Sequence, residues 1–276
     1  FDKFQAFHAR YYHPSNAYII LYGDMDMEKK LRWLDEAYLS EYDAIQPDSE
    51  IRLQPAFTKL HKEEISYSVG AQESLEKNTY LSWNVVVDAL DNKRNLAMDI
   101  LDYVLLSAPG APLKQALIEA GIGEDIFGGF EDGIRQPYFS VNAKGADAKD
   151  QKRFLSVIET TLRRLVKEGL DQASILAAIH HDEFQYREAD YGRSPKGLVY
   201  ALTAMDTWLY DRKPWEYLFC MQCYQELRED AKHGYFEKLI SELLLDNPHA
   251  ALVICKPERG LTEKREQALA KKLADV

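Results

Sequence analysis

The sequence predicts an α+β fold in which an antiparallel β-sheet is covered by helices on one face. Three observations carry this. Apolar runs rich in β-forming residues alternate with helical patterns in the order β-β-α-α-β-β-α-α, and a late strand and helix close the chain. In "QPYFSVNAKG", Phe139, Val141 and Ala143 alternate with Tyr138, Ser140 and Asn142, so one face points in and the other out. Further on, Phe154, Ile158, Thr161, Leu162 and Leu165 recur at helical spacing and form a single apolar stripe.

Each element has its own local reason. "FDKFQAFHARYY" places Phe4, Phe7, His8 and Tyr11 at helical spacing, and "HPSN" stops it. "AYIILYG" is a short β-forming run ended by Gly23, which predicts a strand. Asp24 or Asp26 then caps a helix over about 27–42. "DAIQPDSEIRLQPAFTK" carries two prolines and little periodicity, so 45–57 reads as a linker between a first unit, 1–44, and a second, 58–276. Beyond it, "HKEEISYSVG" and "NTYLSWNVVV" read as strands. Asp91 starts a helix with Leu96, Ile100 and Val104 on its apolar side, and "SAPGAP" breaks it. "LKQALIEAG" is a short helix closed by Gly121. "IGEDIFGGFEDG" and "QPYFSVNAKG" form an antiparallel pair. Asp171 caps the helix that contains "HHDEF", "YGRSPKG" interrupts, and two more helical stretches follow, with Pro214 where a first helical turn tolerates it. "AALVICKP" is the last strand.

Bulk properties narrow the function. A net charge of −11 argues against nucleic acid as a partner, because phosphate binding needs clustered Lys and Arg. An acidic surface attracts basic ligands instead. No apolar run approaches the roughly 18 residues of a membrane span. Cys220, Cys223 and Cys255 are too few for a disulfide framework, which points to a reducing compartment, cytoplasmic or organellar. The chain opens without Met and ends in a helix-like "EKREQALAKKLADV", so it reads as a segment of something longer.

Two motifs invite chemistry. In "HHDEF", His180 and Glu183 begin H-x-x-E-H, the helical zinc-peptidase signature, but Phe184 stands where the second imidazole is required. Glu183 and Arg187 are instead spaced as a helical ion pair. "CMQC" at 220–223 matches C-x-x-C, yet Trp215, Leu218, Phe219, Cys223 and Leu227 read as one helical apolar stripe, so core thiols are expected rather than a redox pair. "SAPGAP" and "GGFEDG" lack any phosphate-loop pattern. The residues alone describe a noncatalytic α+β segment.

Four stretches, in order, resemble the pitrilysin/insulinase clan of zinc metallopeptidases, and its presequence-protease branch most closely. They are "FHARYYHPSNAYIILYGDMD", "LLSAPGAPLKQALIEAGIG", "GLVYALTAMDTWLYDRKP" and "NPHAALVICKP". The resemblance implies a LuxS/mitochondrial-processing-peptidase-like metallohydrolase domain. The parent it implies has four related domains around a closed chamber that degrades short unstructured peptides. Zinc and the catalytic residues of that parent lie outside this segment, so no metal or catalytic residue is expected here. The partners it implies are the other domains of the parent chain and a peptide substrate. It also implies a secondary site that holds the substrate's N-terminus, which carries over to Gly110, Gly129, Phe130 and Glu131. The alternative is a structural or binding module from a clan member that has lost catalysis.

Overall fold

The computed structural model describes residues 1–274. Five strands form one sheet in the order β1-β5-β2-β4-β3. They are β1 (His61–Val69), β2 (Thr79–Val86), β3 (Asp125–Glu131), β4 (Tyr138–Ala146) and β5 (Ala250–Arg259). Every neighbouring pair is antiparallel except β1 and β5, which run parallel. The sheet is therefore mixed, not wholly antiparallel as expected. Although β1 and β2 are consecutive, the late strand β5 inserts between them, and local pattern carries no trace of that insertion.

Alternation fixes the buried face. Leu81 and Val85 on β2, Phe139, Val141 and Ala143 on β4, and Ile254 on β5 are completely buried. Their neighbours Ser82, Asn84, Ser140 and Asn142 lie on the opposite face and stay partly exposed. Against the apolar face pack α3 (Asn92–Asp102) and α5 (Gln151–Glu168), backed by α6 (Gln172–Glu188), α8 (Met221–Asp230) and α9 (Tyr235–Leu239). The apolar stripe of α5 is buried at all five predicted positions. Asp91 and Asp171 cap as expected, accepting from Arg94 N (2.9 Å) and Ser174 N (2.8 Å). From Asn92 to Glu119 the chain is long and apolar enough by composition to cross a membrane. Here it is α3, a π-helical stretch Tyr103–Ser107 and α4 (Pro112–Glu119), with Leu101, Leu105, Leu113 and Leu117 completely buried in the core.

The N-terminal part differs from expectation. α1 (Asp2–Tyr11) and α2 (Met27–Ala37) form, with Asp26 as the cap of α2, but the second helix stops short of residue 42 and ends in a 3₁₀ turn. The predicted strand over 17–23 is extended yet joins no sheet. Its apolar side chains lie on α7 (Lys196–Trp208) instead: Tyr18 meets Trp208 edge-on at 4.8 Å and Tyr22 meets Tyr200 at 5.7 Å. Neither α1 nor α2 buries a single residue. Between Asp43 and Leu60 there is no helix or strand. This stretch is clipped to the β3–β4 turn by Gln54 N donating to Gln136 Oε1 (2.7 Å) and by Arg135 donating to the Ile51 carbonyl.

Candidate functional site

β1 and β3 are the two edge strands, and they are chemically opposite. β1 begins with His61, Lys62, Glu63 and Glu64, the charged edge that discourages strand addition. β3 carries "IFGGF" between Asp125 and Glu131, with no charge in its middle. Gly128 is obligatory, because a Cβ there would lie 2.1 Å from the Ser140 carbonyl oxygen on β4. Gly129 is free by comparison: an added methyl would meet only the Asp102 carboxylate, at 3.7 Å. Phe130 packs partly into the core and Glu131 is exposed at the strand's end. Three of the four expected site residues thus lie consecutively on an accessible edge. Gly110 lies elsewhere, in the turn between the π-helical stretch and α4. Its φ of +73° favours glycine, and nothing stands within 4 Å of a Cβ built there.

Beside this edge sits a group of carboxylates that no single stretch of sequence shows. Asp99 and Asp102 are on α3, Asp132 is in the β3–β4 turn, Asp182 is on α6 and Asp206 is on α7. Burial pushes Asp102 up to about 6, against the Phe130 backbone N–H, which favours its charged form. Asp206 rises to about 6 through burial and the nearby charges of Asp132 and Glu131. Asp99 keeps contact with solvent but is surrounded by protein mass, and desolvation together with Asp132, Asp182 and Asp102 drives it well above the usual carboxylate range. The i, i+4, i+7 spacing of Asn95, Asp99 and Asp102 along one helix side was visible in the sequence only as scattered polar residues. Their convergence with the other elements was not.

The two tempting motifs resolve differently. Glu183 is buried and accepts from Arg187 Nη2 at 2.6 Å, as its spacing predicts, and Arg228 on α8 also pairs with it. His180 is exposed and Phe184 stays 63% exposed. Among the described residues, no group of three or more His, Cys, Asp or Glu is arranged to hold a metal ion. The expected stripe from Trp215 to Leu227 is broken: a 3₁₀ turn Glu216–Leu218 ends before α8 begins at Met221, and Trp215 and Phe219 are exposed. Cys220, not Cys223, is the buried thiol, and burial pushes it up to about 12, so it is no thiolate nucleophile at neutral pH.

A family profile described as the peptidase M16 inactive domain matches residues 1–180. The chain belongs to the peptidase M16 family. Along its whole length this M16 chain is 40% identical to protein HypA of Clostridium perfringens, covering 28% of that protein. It is 33% identical to presequence protease 1 of Arabidopsis thaliana, over 97% of this chain and 26% of that protein. It thus spans little more than a quarter of the curated relatives it matches. A protease from Helicobacter pylori has the same fold, with a TM-score of 0.70 at 16% identity over 93% of this chain and 58% of that one. The M16 chain is a noncatalytic module related to presequence proteases.

Proposed function

We propose that this M16 module forms part of the wall of a peptide-degrading chamber and anchors substrate along β3. The observation that carries the reading is the contrast between the edge strands, one charged from its start and one glycine-rich and uncharged in its middle. An extended peptide added to β3 gains main-chain hydrogen bonds, and Gly129 lets its backbone approach closely. Gly110, Gly129, Phe130 and Glu131 are the proposed anchoring residues, and zinc with the catalytic groups belongs to other parts of the parent enzyme. The test is Glu131→Lys in the parent, assayed with a basic and a neutral peptide that share one scissile sequence. KM rises selectively for the basic peptide, and the effect shrinks with added salt. Unchanged KM on both peptides overturns the reading.

Residues 1–44 belong, on this reading, to the preceding domain, with 45–57 as the linker and 58–276 as the M16 domain proper. Phe4 is 70% and Trp33 61% exposed on helices that bury nothing of their own, which supports an apolar neighbour from the same parent chain.

A further inference from the structure

We propose that a hollow between the C-terminal ends of α1 and α2 binds the trimethylammonium group of a small quaternary ammonium compound. Six aromatic rings line it, those of His8, Tyr11, Tyr12, His13, Tyr38 and Tyr42, around a volume of about 450 Å³. Only Asn16 and Ala17 complete the lining, so no larger aliphatic side chain and no charged Lys, Arg, Asp or Glu contributes. This composition separates the hollow from the purely apolar side chains exposed elsewhere on the same helices, such as Phe4 and Trp33. An apolar partner is met best by aliphatic groups, whereas an aromatic ring offers a cation the negative face of its quadrupole.

The rings are held in place. His8 and Tyr12, one helical turn apart, stack at 4.6 Å with 13° between their planes. His13 and Tyr42 stand nearly perpendicular at 5.4 Å, and Tyr42 meets Tyr38 at 5.3 Å. His13 Nδ1 accepts from Ser15 N at 3.1 Å, and Asn16 Nδ2 donates to the Tyr11 carbonyl at 2.9 Å. Ser15 Oγ accepts from Ile45 N at 3.1 Å. These contacts join the end of α1 to the chain leaving α2, which arranges the lining before a ligand arrives and lowers the cost of binding.

A second observation, independent of the rings, sets the sign of the ligand's charge. Tyr11 is the last residue of α1 and Tyr12 its C-cap, while Tyr38 is the C-cap of α2. Both helices therefore end at the hollow, and each C-terminus carries about half a negative charge on its unpaired carbonyls. α2 has no basic residue in its last turn to offset this. α1 has Arg10 there, but the Arg10 guanidinium lies over the Tyr11 ring at 5.1 Å, pairs with Asp48 and takes no part in the lining. Ring faces accept no strong hydrogen bonds, so a cation without N–H groups loses least on entering, and a quaternary ammonium is that cation. No residue of β3 contributes to the hollow, so the inference stands apart from the anchoring reading.

The test titrates this chain with choline and with 3,3-dimethylbutan-1-ol, an uncharged molecule of the same shape, by isothermal calorimetry. Choline is expected to bind with a Kd of about 1 mM or below, at least about tenfold tighter than the alcohol. Tyr38→Leu/Tyr42→Leu removes two rings and weakens choline binding at least about fivefold, whereas Tyr38→Phe/Tyr42→Phe keeps the ring faces and stays within about twofold. α2 buries no residue, so neither double variant is expected to unfold the chain. Absence of choline binding up to about 10 mM, or equal affinity for choline and the alcohol, overturns the proposal. Choline binding that the leucine variant leaves unchanged overturns it too, as does an equal loss in the leucine and phenylalanine variants.

Discussion

Tyr22 lies against Gly197 so closely that a Cβ at position 197 would stand 2.4 Å from the Tyr22 ring. This contact, with Tyr18 on Trp208, is how the unpaired segment 17–23 is held to α7. Gly197→Ala is expected to force the ring away and lower stability by about 1–3 kcal/mol, the usual cost of overpacking. Tyr22→Ala in the same chain restores part of that loss, giving a coupling energy in a double-mutant cycle. Additive losses, read from denaturant midpoints, contradict the contact.

Glu183 joins α6 to α8 through Arg187 and Arg228. Glu183→Ala leaves both arginines without their carboxylate, and the loss is expected at about 1–3 kcal/mol, because the arginines retain access to water. Arg187→Ala removes the half-exposed helical pair but leaves Glu183 its bond to Arg228, and costs about 0.5–1 kcal/mol. Arg228→Ala falls between. Thermal or urea unfolding that ranks Arg187 above Glu183 contradicts this network.

The raised aspartates give stability a definite pH dependence. In the unfolded chain an aspartate titrates near 3.9, at about its reference value, whereas Asp102 and Asp206 titrate at about 6 in the folded protein. Between those values the folded state holds more protons, so stability falls as pH rises through the window and is highest on its acid side. Glu64 works in the opposite sense. Hydrogen bonds from Lys256 and Lys62 hold it down at about 2, so its contribution is present above its unfolded value and is lost as pH falls toward 2. Tm is therefore expected to rise as pH falls from about 6.5 to about 4 and to decline below that. Asp102→Asn/Asp206→Asn flattens the rise, and an unchanged slope in that variant rules out these two groups as its source.

Limited proteolysis tests the proposed boundary. Residues 45–57 hold no helix or strand, and their tethers to Arg135 and Gln136 are exposed side-chain bonds. Trypsin is expected to cut first at Arg52, leaving a folded C-terminal piece, and Arg135→Ala accelerates that cut by freeing Ile51. First cleavage within 91–145 contradicts the boundary.

Local physics made much of the fold legible. The period-two alternation around Phe139 and the five-residue stripe of α5 each state a buried face within one element, and Asp91 and Asp171 announce helix starts by side-chain chemistry alone. "AYIILYG" misled because its β-forming residues satisfy an extended segment on a helix as readily as one in a sheet. The insertion of β5 was illegible, since pairing partners far apart leave no periodic mark. For the site, the glycines of β3 and the acids that follow them, Glu131 and Asp132, were readable as a run, but the acids of α3, α6 and α7 were not. Asp102, Asp132 and Asp206 come from three elements, and only tertiary packing sets them side by side.

The position of β5 also governs the order in which the sheet can be assembled. Among the described residues β1 pairs with β5 alone, and His61 aligns with Ala251, about 190 residues later in the chain. During synthesis from the N-terminus, β3 and β4 can close a hairpin and β2 can join them while β1 waits unpaired. Contacts this distant in sequence form slowly, because a long loop must close before they reward it. The charged start of β1 therefore protects it twice over, as a finished edge and as a lone strand until β5 has been made.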